Sequence, residues 1–134
     1  MPISLSSNRQ MELKSPELRG ALKASADWPE GRQMAPDRSG WVRGLARRSF
    51  HRIAFTDWGP ASAVRPVLCV HGLTRNGRDF DYLAAALAGA GRRSICPDLP
   101  GRGQSERLQD SGDYVLPQYC SDMNVLMEIG RAHV

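Results

Sequence analysis

No apolar run in these 134 residues approaches the roughly 20 that a membrane-spanning helix needs, so an integral membrane protein is not expected. The first residues lack the continuous apolar stretch of a secretory signal, so none is expected either. Cysteine is scarce. Cys69, Cys96 and Cys120 are odd in number and widely spaced, which fits neither a disulfide framework nor a C-x-x-C metal site. That usage suits a reducing cytoplasm, and no residue cluster suggests a metal. Lysine is almost missing: Lys14 and Lys23 are the only two among 18 basic residues. The net charge of +4 raises the question of an anionic partner such as nucleic acid. The arginines are scattered, however, with no single stripe and no interleaved aromatics, so a solvated surface is the better reading.

What is present divides at about residue 40. Residues 1–40 carry Ser4, Ser6, Ser7, Pro16, Pro29, Gly31, Pro36 and Gly40 among mixed charges. Such a stretch buries too little apolar surface to offset its ordering entropy, so a disordered extension is expected. A short helix around Ser15–Ala26 is compatible with Ser15 as N-cap and Pro16 at the first helical position. Residues 41–134 read as a structured unit. A first strand is expected over Trp41–Arg48 and a second over Ser49–Asp57, where Ile53 and Phe55 alternate with Ala54 and Thr56. Val67 to Val70 is apolar on both faces, as a parallel strand covered by helices on both sides should be. Phe80, Leu83, Ala84 and Leu87 then fall at helical spacing, with Asp79 as the expected N-cap and Gly89 and Gly91 closing the helix. Arg93 to Cys96 is a further strand. The unit 66–98 is therefore strand, helix, strand. A last helix is expected from Pro117, with Tyr119, Met123, Leu126 and Met127 as its buried stripe and Gly130 as its end.

Two loops carry the chemical signals. His71-Gly72-Leu73-Thr74 follows the apolar strand directly, at the strand end where open α/β sheets place ligands. Gly72 would let the backbone turn tightly, and the Leu73 N–H could face the crevice as a donor to an oxyanion. Asp98-Leu99-Pro100-Gly101-Arg102-Gly103-Gln104-Ser105 follows the next strand. Asp98 could hold that loop by accepting backbone N–H bonds. A phosphate loop fits poorly, because Glu106 stands where the third glycine would be.

Taken together these features resemble the N-terminal half of the α/β-hydrolase fold, in the subgroup with an H-G-x oxyanion turn. The match spans residues 50–128: Val67 to Val70, then His71-Gly72-Leu73, a helix near Phe80, Ile95 to Asp98, and Gly101-Arg102-Gly103-Gln104-Ser105. The resemblance implies a mostly parallel sheet with helices on both faces. It makes the Leu73 backbone one oxyanion donor, has His71 and Gly72 shape its turn, and gives Asp98, Gly101, Gly103 and Ser105 a structural role. It implies no cofactor and, when the chain is complete, a small ester-like substrate; the scattered charge and the short apolar runs leave neither nucleic acid nor membrane expected as partner. Thr74 departs from the His-Gly-x-Pro form common in epoxide hydrolases and dehalogenases.

The family's nucleophile sits in a G-x-S-x-G elbow. None occurs here. The nearest match, Gly103-Gln104-Ser105-Glu106-Arg107, ends in arginine and follows a loop, not a buried strand. His71 belongs to the turn and His133 lies where the next strand should begin, so neither is the catalytic base. Cys69 should be a small buried hydrophobe. No triad member is identified. The expectation is a chain truncated before the elbow: when complete a serine hydrolase of ester or lactone bonds, alone inactive. The alternative is an inert, degenerate hydrolase fragment. Either way, Val67–Val70 would leave an exposed sheet edge open to association.

Overall fold

A computed structural model describes residues 34–132, with Pro16 alone before them. The expected helix at Ser15–Ala26, most of the 1–40 extension, and His133 and Val134 lie outside the described residues. Strand β1 (Arg38–Leu45) and strand β2 (Phe50–Trp58) form an antiparallel hairpin in register from Arg38 opposite Asp57 to Leu45 opposite Phe50. Strand β3 (Val67–Leu68) leads through a 3-10 turn at Gly77–Phe80 to helix α1 (Asp81–Gly89) and strand β4 (Ser94–Pro97). A long loop then reaches helix α2 (Leu116–Ala132). The sheet order is β1-β2-β4-β3.

The mostly parallel sheet expected from the sequence is mixed in these strands. Only β3 and β4 are parallel, while β2 runs antiparallel to both its neighbours. The hairpin accounts for the β1–β2 pairing, since a tight turn can join only antiparallel strands. β1 also begins at Arg38, ahead of Trp41, and stops at Leu45 because the Ala46 N–H closes a turn on the Ser49 carbonyl at 2.9 Å.

Successive strand residues point to opposite faces, and the core follows that alternation. Ile95 joins Val42, Ile53 and Leu126 on the face covered by α2. Its neighbour Cys96 joins Trp58, Cys69 and Ala84 on the face covered by α1. Ile53, Ile95 and Leu126 are fully buried, each worth roughly 1.5–3 kcal/mol of transfer free energy.

Several local expectations give way. Val67–Val70 forms only a two-residue ladder, although the Cys69 N–H still donates to the Ile95 carbonyl at 2.9 Å. Val67 and Leu68 are half-buried and Val70 is 44% exposed, because among the described strands β3 has a neighbour on one side only. Asn76, not Asp79, caps the turn that leads into α1, its side chain accepting from the Arg78 N–H. Asp79 instead takes Arg75 at 2.6 Å. α2 runs through Gly130 to Ala132. Met127 is exposed on it, whereas Asp122, unremarked in the sequence, is fully buried.

Candidate functional site

The parallel pair β3–β4 ends in two loops that lie side by side. His71 joins them. It is buried, the Leu99 N–H approaches its Nε2 at 2.9 Å, and its Nδ1 lies 2.6 Å from the Gly72 carbonyl. A backbone N–H can only donate, so Nε2 carries the lone pair and Nδ1–H donates to Gly72. Both ring nitrogens are thereby used within the loops. The imidazole acts as a staple, and neither nitrogen is free to serve as a base.

The Asp98 carboxylate fixes the second loop. Oδ1 accepts from the Gly77 N–H at 2.7 Å and Oδ2 from the Gln104 N–H at 2.9 Å. The Ser105 hydroxyl donates to the Asp98 carbonyl at 2.6 Å and accepts from the Ala54 N–H at 2.8 Å. Its proton and a lone pair are both committed, and the side chain is buried. Gly101 closes the loop by donating to the Glu106 carbonyl at 2.9 Å.

Two glycines make this close approach feasible. Gly103 has φ +52°, and a Cβ there would fall on the Asp98 carboxylate. At Gly77 a Cβ would come within 2.9 Å of the Pro97 carbonyl oxygen. Gly72 is different. Its φ is not positive, and a Cβ would meet nothing closer than Arg75 Cγ at 3.9 Å, so the steric need expected for Gly72 does not arise. Gly103→Ala is accordingly expected to destabilise the fold by about 1–3 kcal/mol from backbone strain alone. Gly72→Ala should be far milder. Paired urea melts check the contrast, and equal losses would contradict it.

Sequence reasoning missed the third fastening. Arg102 lies between the His71–Thr74 turn and α2. Its Nε donates to the Leu73 carbonyl at 3.0 Å, and Nη1 donates to the Pro100 carbonyl at 2.9 Å and the Tyr119 hydroxyl at 3.1 Å. The Tyr114 and Tyr119 rings flank the guanidinium at 5.9 and 5.7 Å. Its position in the Gly101–Gly103 turn was legible, but its partners lie up to 29 residues away. The peptide that carries the Leu73 N–H is thus held by His71 through the Gly72 carbonyl, and the next one by Arg102 through the Leu73 carbonyl, while the Leu73 N–H has no acceptor among the described residues.

A groove of about 730 Å³ opens beyond Asp98, lined by Trp41, Arg52, Phe55, Gly77 and Gln104 among others. It does not include the His71–Thr74 turn, so it is not the acyl crevice of the expected chemistry. Among the described residues, no cluster of histidine, cysteine and carboxylate groups could hold a metal ion. No described helix is long and apolar enough to cross a membrane.

The paired strand-end loops define a class, and comparison with known proteins agrees with it. A family model described as alpha/beta hydrolase fold matches residues 65–133, and the chain belongs to that family. Among curated relatives, the 3-hydroxybutyrate-oligomer hydrolase of Cupriavidus necator is 48% identical over 93 residues, covering 69% of this chain and 31% of the relative. The haloalkane dehalogenase of Psychrobacter cryohalolentis is 32% identical over 77 residues, covering 58% of this chain and 25% of the relative. A solved alpha/beta hydrolase from Novosphingobium aromaticivorans superposes with a TM-score of 0.62 at 37% identity, covering 72% of this chain and 32% of that structure. The chain spans about a third or less of the length of these relatives.

Proposed function

We propose that this chain supplies one half of the oxyanion hole of a serine hydrolase that cleaves an ester or lactone bond. The reading rests on the Leu73 peptide: its N–H lacks an acceptor among the described residues, at the end of a parallel strand, while His71 and Arg102 hold the turn from both sides. An N–H fixed in that way can meet negative charge developing on a carbonyl oxygen without reorganising. His71 and Gly72 shape the turn, and Asp98, Gly101, Gly103 and Ser105 support it from below. The nucleophile, acid and base come from outside these residues, since no G-x-S-x-G occurs among the 134.

The relative that hydrolyses 3-hydroxybutyrate oligomers supports an ester over a carbon–halogen bond, as does Thr74 in place of proline. The substrate is then a small ester-like molecule in the cytoplasm. Arg38, Arg47, Arg52, Arg75, Arg78 and Arg93 all pair with carboxylates, which supports a reading without a nucleic-acid partner. A chimera tests the chemistry: residues 1–132 continued by the remainder of the Cupriavidus hydrolase. It should hydrolyse an activated aryl ester of 3-hydroxybutyrate and leave a chloroalkane untouched. Dehalogenation without ester turnover would overturn the reading.

The outer edge of β3 supports a second expectation. Beside it lies an apolar gap of about 250 Å³ between Val64, Pro66, Leu68, Ile95, Leu126 and Met127. Unpaired strand groups next to exposed apolar surface favour association. The 134-residue chain alone should elute from size exclusion as a dimer or larger. A monomer that melts cooperatively would count against this.

A further inference from the structure

Two of the three cysteines, far apart in the chain, meet in the core. Strands β3 and β4 pair in parallel, with Val67 opposite Ser94 and Leu68 opposite Ile95. The same register carried one step further sets Cys69 opposite Cys96. The backbone rung at that step is only half made. The Cys69 N–H donates to the Ile95 carbonyl at 2.9 Å. The Cys69 carbonyl would need an N–H at Pro97, and proline has none. The ladder therefore ends where the two cysteines begin to face each other.

Both side chains point to the α1 face. They are buried with Trp58 and Ala84 in one cluster, and a hydrogen bond joins the two thiols. Neighbouring strands lie about 4.7–4.9 Å apart. That spacing falls inside the roughly 4.4–6.8 Å between Cα atoms that a disulfide accepts. Both thiols are free. Their place in the chain gives the pair its consequence. Cys69 stands just ahead of His71, and Cys96 just ahead of Asp98, the side chains that fasten the two strand-end loops.

We propose that Cys69 and Cys96 form a reversible thiol–disulfide site, in which hydrogen peroxide converts the pair into a covalent rung between β3 and β4. Cys69 reacts first, because among the described strands β3 is the outer one and β4 is flanked on both sides. Its sulfur attacks one peroxide oxygen and the O–O bond breaks. The other oxygen takes the thiol proton and leaves as water, and Cys69 becomes a sulfenic acid. The Cys96 sulfur then attacks the Cys69 sulfur. The S–S bond forms, the S–O bond breaks, and the hydroxyl leaves as water with the Cys96 proton. Two thiols and one peroxide give one disulfide and two waters, with two electrons passing from sulfur to oxygen. Directly opposed side chains sit near the strand spacing, beyond the roughly 3.5–4.5 Å between Cβ atoms that a relaxed disulfide prefers. The bond is therefore strained, and strained disulfides are the readily reduced ones, so small thiols reverse it.

Cys120 is exposed on α2 and would cross-link separate chains, so the test uses the full 134-residue chain carrying Cys120→Ser. The chain is treated with hydrogen peroxide, alkylated under denaturing conditions, and digested without reductant for mass spectrometry. The expected product is a single chain, lighter by two hydrogens, with the Cys69 peptide joined to the Cys96 peptide. Dithiothreitol should restore both thiols to alkylation. In the oxidised chain the amides of Val67–Val70 should exchange with solvent more slowly, on the order of tenfold or more, since a disulfide restricts the opened state. Two alkylated thiols after peroxide, sulfinic acid at either cysteine without a link, or a link only between separate chains overturns the site. A link within one chain that leaves the Val67–Val70 exchange unchanged overturns the covalent rung.

Discussion

Asp57→Ala is expected to destabilise the fold by about 3–5 kcal/mol, the loss typical when one partner of a buried ion pair is removed. Asp57 stands where three strands meet, opposite Arg38 on β1 and Ile95 on β4. Arg93, only 1% exposed, donates to it twice, from Nη2 at 2.7 Å and Nε at 2.9 Å. Arg38 adds Nε at 3.0 Å. Alanine would leave the Arg93 guanidinium buried with the Ala61 carbonyl, 3.2 Å away, as its remaining acceptor. Burial alone would raise the Asp57 carboxyl, but hydrogen bonds from Arg93 and Arg38 outweigh it and hold the group below the usual carboxylate range. Its contribution is therefore present above the ordinary carboxylate value and is lost as pH falls through the lowered one. Urea melts at pH 7 read the first effect, and melts at successive pH values below 3.8 read the second. A loss within 1 kcal/mol at pH 7 would mean that the triad adds little.

The second large effect concerns rate. In the chimera with the Cupriavidus hydrolase, Leu73→Pro removes one backbone donor and no side chain that the fold depends on, since Leu73 is 70% exposed. Loss of one oxyanion donor typically costs about 100- to 1,000-fold in kcat, or roughly 2.7–4 kcal/mol. The loss should fall on kcat, with KM little changed, because the interaction strengthens only as charge develops. Arg102→Ala frees the Leu73 carbonyl without removing the N–H, so it should cost less. A Leu73→Pro chimera with undiminished kcat would remove Leu73 from the reaction.

The parts legible in the sequence are those written in local patterns. Ile53 and Phe55 alternate within one strand, and Leu83, Ala84 and Leu87 share one turn of α1, so periodicity alone places both elements. The His-Gly and Gly-x-Gly loops are legible because glycine and strand ends sit together in the chain. What stays hidden depends on partners far apart. Arg93 reads as the polar start of a strand, yet its carboxylate lies 36 residues back. Asp122 reads as a solvated helix position, yet His51 is 71 residues away. Asn76 is the cap and Asp79 is not, because the helical turn already begins at Gly77 and leaves Asp79 inside it. The run Val67–Val70 reads as a strand covered on both sides, but periodicity reports apolar faces and says nothing of how many neighbours pair along the edge.

On the reading proposed above, residues 1–132 supply an oxyanion donor and no nucleophile. Covalent labelling with a serine-directed phosphonate, mapped by peptide mass spectrometry, puts this to the test. The 134-residue chain should take up no label, and the active chimera should be labelled at one serine beyond the junction at residue 132. Stoichiometric labelling of Ser105, or of any serine within residues 1–132, with parallel loss of ester turnover, would contradict it.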